Sequence, residues 1–196
     1  MRLVLASTSP RRLDLLARIG VTPDRIAAPE TDEAPLLGEL PRVYVERIAL
    51  GKAQAVERAA DEIVLAGDTS IAVGRRILGK PEDEGDLRRM LALLSGRRHH
   101  CLSAVALVGL DGRARVRLSD TIVAFKRLTA AEIDHYVASG EGMGKAGGYA
   151  IQGLAEAFVR FLSGSHSGVV GLPLFETRAL LEAAGFPLRQ RERPLG

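Results

Sequence analysis

The sequence predicts an α/β fold. Three observations carry that expectation. First, Leu3-Val4-Leu5-Ala6 is an apolar run that stops at the small polar turn Ser7-Thr8-Ser9. A helical pattern follows at once through Leu13, Leu16, Ala17 and Ile19. Second, Ile63-Val64-Leu65-Ala66 is a short continuous apolar run, as expected of a strand buried on both faces. Third, Val43 to Ala60 and Glu84 to Leu94 place apolar side chains at helical spacing between such runs. At 196 residues the chain is long enough for one domain with a real core.

The first helix opens with Ser9 as N-cap and Pro10 in the first turn. Arg11 and Arg12 come next, and their sign is wrong for that end. A helix N-terminus carries partial positive charge and unsatisfied N–H groups, so acidic residues belong there. Two arginines without local compensation point to an anion, and a helix start after a strand is a natural phosphate site. No structural partner is expected for Arg12. Two solvated arginines on a frayed helix start are the plain alternative.

Val21 to Glu39 is rich in Pro and acids and reads as a surface loop. Its Pro29-Glu30-Thr31-Asp32-Glu33 stretch is either simply solvated or a divalent-metal site beside the phosphate. Lys52, midway along the second helix, reads as a solvated lysine. The strand Ile63–Ala66 ends in Gly67-Asp68-Thr69, a carboxylate just beyond a buried strand, where open α/β sheets keep their chemistry. Ile71 to Leu78 around Gly74-Arg75-Arg76 suggests a hairpin, closed by Gly79-Lys80-Pro81. Glu84 to Leu94 is a helix stopped by Ser95-Gly96.

His99 and His100 are adjacent in an extended segment, so they point to opposite faces and do not share a metal. Cys101 lies in an apolar run and reads as core. Asp111-Gly112 marks a second hairpin, and Thr129-Ala130-Ala131-Glu132 is a capping box. Gly144 to Gly153 is a glycine-dense loop whose backbone can approach a ligand closely. It is not a P-loop, because neither Ser nor Thr follows Lys145. Phe158 to Leu162 and Val169-Val170 read as short strands, Leu174 to Gly185 holds a last helix, and a charged, disordered tail begins near residue 187.

Bulk properties narrow the function. The net charge is +3, with many of the basic residues in scattered pairs rather than one stripe, unlike a bulk nucleic-acid binder. The single cysteine rules out an intramolecular disulfide and suits a reducing compartment. No apolar run is long enough to span a membrane, and the opening Met1-Arg2 run lacks a signal-peptide core. A cytoplasmic protein is expected, with no membrane partner.

Several blocks together resemble the Maf family of nucleoside triphosphate pyrophosphatases. They are Ser7-x-Ser9-Pro10-Arg11-Arg12, Gly67-Asp68-Thr69, Leu78-Gly79-Lys80-Pro81, Leu94-Ser95-Gly96-Arg97, Lys145 to Gly153, and Gly171-Leu172-Pro173. They fall in the family's order over nearly the whole chain. The resemblance implies a Maf/Ham1-like α/β fold: one domain over residues 1–196, with two lobes around a long mixed twisted sheet and a cleft between them. It implies hydrolysis of a nucleoside triphosphate to the monophosphate and pyrophosphate, with a divalent cation, Mg or Mn. The Ala150-Ile151-Gln152-Gly153 stretch is similar to the branch acting on dTTP and UTP, with modified pyrimidine triphosphates open. The alternatives are the 7-methyl-GTP branch and a non-enzymatic nucleotide-binding regulator of cell division.

Residue by residue, the resemblance implies Asp68 as general base, with Lys52 and Lys80 facing the phosphates. It implies substrate contacts from Ser7, Arg11, Arg12, Thr69 and Gln152, and metal binding near Asp32 and Glu33. For Lys52 this replaces the solvated reading. Where the family's commoner text has Gly-Ala-Asp-Thr, this chain has Ala66-Gly67-Asp68-Thr69, which implies a slight local shift. The partner expected is the nucleotide substrate; no stable nucleic-acid complex is expected, and a homodimer is left open.

Overall fold

A computed structural model describes residues 1–188. The charged stretch Arg189–Pro194 lies outside the described residues. The strands are β1 (Arg2–Ala6), β2 (Arg25–Ala27), β3 (Glu62–Val73), β4 (Arg76–Leu78), β5 (Arg98–Val108), β6 (Ala114–Phe125) and β7 (Val159–Ser163). The helices are α1 (Pro10–Arg18), α2 (Pro41–Gln54), α3 (Glu84–Leu94), α4 (Ala130–Ala138), α5 (His166–Val170) and α6 (Leu174–Ala183). All seven strands join one sheet in the order β2-β1-β3-β5-β6-β7, with β4 paired to β3. β1 runs parallel to β2 and β3, and the remaining pairs are antiparallel. The fold is mixed α/β.

The sheet separates two cores. On one side Leu3, Leu5, Ile63 and Leu65 pack with Leu15 and Leu16 of α1, Leu87 and Leu91 of α3, and Leu180 and Leu181 of α6. On the other side Val4, Ala6, Val64, Ala66, Ala104 and Ala106 pack with Val45, Ala49 and Ala53 of α2. Strand alternation sends neighbours to opposite cores. The α2 side is built from small side chains on both partners, so this helix lies close to the sheet. That closeness decides the chemistry described below.

Four local expectations are corrected. β3 does not stop at Gly67; it continues to Val73, because β5 pairs with it from Val64 through Ala72. Asp68 therefore sits inside a strand. A short strand, β2, lies in the stretch read as loop, held by pairing with β1. Val169 and Val170 end α5 rather than forming a strand, since the Ser165 Oγ accepts from the Gly168 N–H at 3.0 Å and starts a helix. The second helix ends at Gln54, well short of Ala60.

The two hairpins and the Thr129/Glu132 capping box form as expected. Cys101 is buried. His99 and His100 do point apart. His100 is half-exposed and pairs with Asp120 at 2.7 Å, whereas His99 is 1% exposed and lies 2.9 Å, through Nε2, from the Tyr149 hydroxyl. Burial pushes the His99 imidazole down to about 4.

A depressed histidine has a defined sign. The unfolded chain takes up the proton near pH 6.5 and the folded one does not until about 4. Stability is fully present above pH 6.5 and is lost as the pH falls toward 4. The expected loss between pH 7 and pH 4.5 is on the order of 2–3 kcal/mol. Urea denaturation of wild type and His99→Phe across that range checks it, since the difference between the two proteins isolates the imidazole from the carboxylates. Parallel pH profiles would refute it.

Candidate active site

α2 and β3 together bury a charge cluster. Even-numbered positions of β3 face α2, so Asp68 follows Val64 and Ala66 onto that face. Lys52 follows Ile48 and Ala49 by about one helical turn on α2. With the backbones held close by alanines, the lysine reaches the strand: its Nζ stands 2.7 Å from Asp68 Oδ1 and 2.8 Å from Glu33 Oε1. Lys52 is 7% exposed, so the solvated reading fails; its ammonium lines the cleft but is held by two carboxylates. Burial raises the Asp68 carboxyl above the usual range; Lys52 and Arg12 oppose that shift, and Glu33 adds to it. Asp68 Oδ2 has no hydrogen-bond donor among the described residues and is available to a water.

Glu33 is brought in by its loop, and α2 holds that loop. The Tyr44 hydroxyl donates to the Glu33 carbonyl at 3.0 Å. Arg47 donates to the Ala34 carbonyl and forms a two-point bridge to Glu39, 2.7 Å at each contact. These residues carry no motif on their own, and sequence reasoning missed them. Their only signal was an aromatic and an arginine in the first turns of α2, facing an acidic loop. Asp32 is not part of the cluster: it is exposed, accepts from the Ala34 N–H at 2.8 Å, and does not line the cleft. The structure separates the acidic pair and places Glu33 alone against Lys52.

The cluster forms one wall of a cleft of about 750 Å³. Ser7, Arg11, Arg12, Glu33, Lys52, Asp68, Thr69, Lys80 and Gln152 all line it, and Lys145 adds a fifth cation. Five cations thus face two carboxylates. Arg11 and Lys80 have no hydrogen-bonded or ion-paired partner among the described residues. Lys145 has only a 3.4 Å contact to the Met143 carbonyl. Burial, then the charge of Arg11, pushes the Lys145 ammonium below its usual range. A cleft with unsatisfied cations is suited to an anion of high charge.

Arg12 behaves otherwise, and here the expectation is overturned. Its Nε donates to the Gly171 carbonyl at 2.9 Å and its Nη1 to the Ser7 Oγ at 3.0 Å. It ties α1 to the end of α5. The α1 N-terminus still has no acidic residue in its first turn and no side-chain cap from Ser9, whose own N–H donates to the Ser7 Oγ. Nearby, a Cβ at Gly67 would crowd Leu172 at 3.2 Å and the Ala104 carbonyl oxygen at 3.3 Å, so the glycine lets β3 pack tightly beside the arginine.

On the opposite face of β3, Thr69 pairs with Ser103 of β5, their hydroxyls 2.9 Å apart. Gln152 is exposed and its side chain has no partner among the described residues, so it does not tie its loop to the sheet. No cluster of three or more His, Cys, Asp or Glu side chains among the described residues could hold a metal ion by itself. Asp68 and Glu33 are oxygen donors that meet on one ammonium. That set fits a hard divalent cation such as Mg, which uses one or two carboxylates and completes its shell with water and substrate phosphates.

Residues 2–184 match the family described as Maf-like protein. The chain belongs to the Maf family. A dTTP/UTP pyrophosphatase of Sphingopyxis alaskensis is 78% identical to this Maf chain over 186 residues, 95% of this chain and 98% of that protein. A dTTP/UTP pyrophosphatase of Novosphingobium aromaticivorans is 60% identical, covering 95% and 94% respectively. Among solved structures, a nucleoside-triphosphatase/dITP/XTP pyrophosphatase from Mycobacterium abscessus aligns at 21% identity with a TM-score of 0.47, over 94% of this chain and 96% of its own.

The two arginines of the Maf motif should separate in experiment. Arg12→Ala removes two part-buried hydrogen bonds and should lower stability by about 1–3 kcal/mol, along with activity. Arg11→Ala removes a cation that opposes the helix dipole, and should leave the melting temperature unchanged or slightly raised while activity falls. Thermal melts of both variants check this. Equal destabilisation would mean that Arg11 has a structural partner too.

Proposed function

We propose that this chain hydrolyses dTTP and UTP to the monophosphate and pyrophosphate. The observation that carries the reading is Asp68: a buried carboxylate with one oxygen on Lys52 and the other free, set in a cleft rich in unpaired cations. The 78% identical relative, a dTTP/UTP pyrophosphatase, supports the choice of substrate.

In this reading the triphosphate lies along Arg11, Lys80 and Lys145, whose charge offsets the phosphate tail. Lys52 holds Asp68 Oδ1, which leaves Oδ2 to accept the proton of an attacking water. Burial makes that carboxylate a stronger base than a solvated one. Water adds at the α-phosphorus, and pyrophosphate departs in one piece into the cationic end of the cleft. Glu33, whose second oxygen is unpaired among the described residues, would be the residue to hold a divalent cation, and the chemistry that cation would supply is charge neutralisation on the phosphate tail. Ser7 orients Arg12 and the α1 N-terminus.

Gln152 reads the base. Thymine and uracil present a carbonyl beside an N–H, and a primary amide can donate to one and accept from the other. Cytosine presents an acceptor in place of that N–H, so the amide oxygen meets a lone pair. The test is pyrophosphate release from dTTP, UTP, CTP and 7-methyl-GTP. Preference for 7-methyl-GTP would assign the chain to the other branch, and no turnover of any triphosphate would favour a binding regulator.

Two variants follow. Asp68→Asn should keep fold and nucleotide binding while losing on the order of a hundredfold or more in kcat; near-normal turnover in a folded variant would remove Asp68 from the mechanism. Gln152→Ala should compress the UTP-to-CTP ratio of kcat/KM by roughly ten- to a hundredfold, the equivalent of a buried mismatch of about 1–3 kcal/mol. An unchanged ratio would show that the glutamine does not read the base.

A further inference from the structure

The loop that carries Gln152 is held from behind by the core. Gly147 and Gly148 adopt φ +68° and +71°, and a Cβ at either would collide: 2.7 Å from Ile71 at the first, 2.5 Å from Leu87 at the second. The Gly147 N–H donates to the Gly79 carbonyl at 2.9 Å. Tyr149, 5% exposed, then turns inward, and the Ala150 N–H donates to the Tyr136 hydroxyl at 3.2 Å. Ile151 is buried, and Gly153 closes the turn by donating to the Ala150 carbonyl at 3.1 Å. Gln152 projects between these fixed points with no side-chain partner of its own.

Behind Tyr149 stands His99. The imidazole meets the Tyr149 ring edge-on at 5.5 Å and the Phe125 ring edge-on at 5.2 Å. Its Nε2 is 2.9 Å from the Tyr149 hydroxyl, while its Nδ1 is buried with no partner. A phenylalanine would fill such an aromatic nest without stranding a ring nitrogen. A cost of this kind points to a task for the other nitrogen.

We propose that His99 is a positioning residue for base recognition: its Nε2 fixes the Tyr149 hydroxyl, and the fixed Tyr149–Ile151 segment sets where the Gln152 amide stands in the cleft. The proposal rests on reading Gln152 as the group that contacts the base. His99 itself touches no substrate. The Nε2 nitrogen and the tyrosine hydroxyl can each donate or accept, so the bond between them forms in either imidazole tautomer. Losing that bond frees the tyrosine ring to shift, and the amide three residues on shifts with it.

The test compares kcat/KM for UTP and CTP in wild type, Tyr149→Phe, His99→Phe, the double variant, and Tyr149→Phe combined with Gln152→Ala. The ratio of two substrates on one sample does not depend on how much of the protein is folded, so partial destabilisation does not blur it. Expected is a loss of UTP-over-CTP preference on the order of tenfold in either single variant, through a raised KM for UTP with kcat largely kept. The double variant should lose no more than either single, and Tyr149→Phe should add nothing once Gln152 is alanine. An unchanged ratio in Tyr149→Phe overturns the proposal. So does an equal loss with and without Gln152, which would mean that the tyrosine acts on the base by another route. A wild type with no preference for UTP over CTP would instead overturn the reading of the substrate, and this proposal with it.

Discussion

One ammonium, Lys52 Nζ, holds the candidate site together. It lies within 2.8 Å of two carboxylates from different parts of the chain, Asp68 on β3 and Glu33 on the loop before α2. A buried ion pair of this kind is weak evidence for stability, because desolvation offsets much of the attraction. Its use here is positional. It fixes one oxygen of Asp68 and leaves the other toward the cleft. The geometry is possible because α2 meets the sheet through alanines, so a lysine side chain can span the gap. A bulkier residue at Ala49, Ala53, Ala66 or Ala104 would lift the helix and draw the ammonium off its partners.

The cations divide by what they already hold. Lys52 and Arg12 are satisfied by the protein and act as braces. Arg11, Lys80 and Lys145 line the same cleft with little to neutralise them. A folded chain tolerates such like-charge crowding when a ligand of opposite sign relieves it on binding. The same division explains why Arg11 and Arg12, adjacent in sequence and identical in type, are unlike in role. Helix geometry turns the second toward Ser7 and the Gly171 carbonyl and the first toward the open cleft.

Much of this was legible in the sequence, and the misses have physical causes. The wrong-sign arginines do line the cleft, but a backbone carbonyl 159 residues away cannot be read from a local pattern, so the brace role of Arg12 stayed hidden. Asp68 was found by its glycine and by the apolar run before it. That it lies within the strand depends on pairing with β5, a long-range fact. Lys52 looked solvated because a lysine within a helix usually is; only the packing of α2 buries it. Asp32 and Glu33 are neighbours with opposite fates, decided by Tyr44 and Arg47 holding the loop in one rotation. Val169-Val170 has strand composition, and the Ser165 cap outweighs it. The hairpins, the capping box and the divergence of His99 and His100 were readable because they are local.

The length of β3 ties the site to the register of the sheet. Asp68 and Thr69 are adjacent, so the pleat sends them to opposite faces, and nine paired positions lock that choice against β5. A slip of one residue would exchange them: the carboxylate would leave Lys52, and a hydroxyl would replace it. The same slip would turn Ile63 and Leu65 toward the alanines of α2 and push that helix away from the sheet. The alignment that places the carboxylate is therefore the one that lets α2 lie close, and neither can be lost without the other.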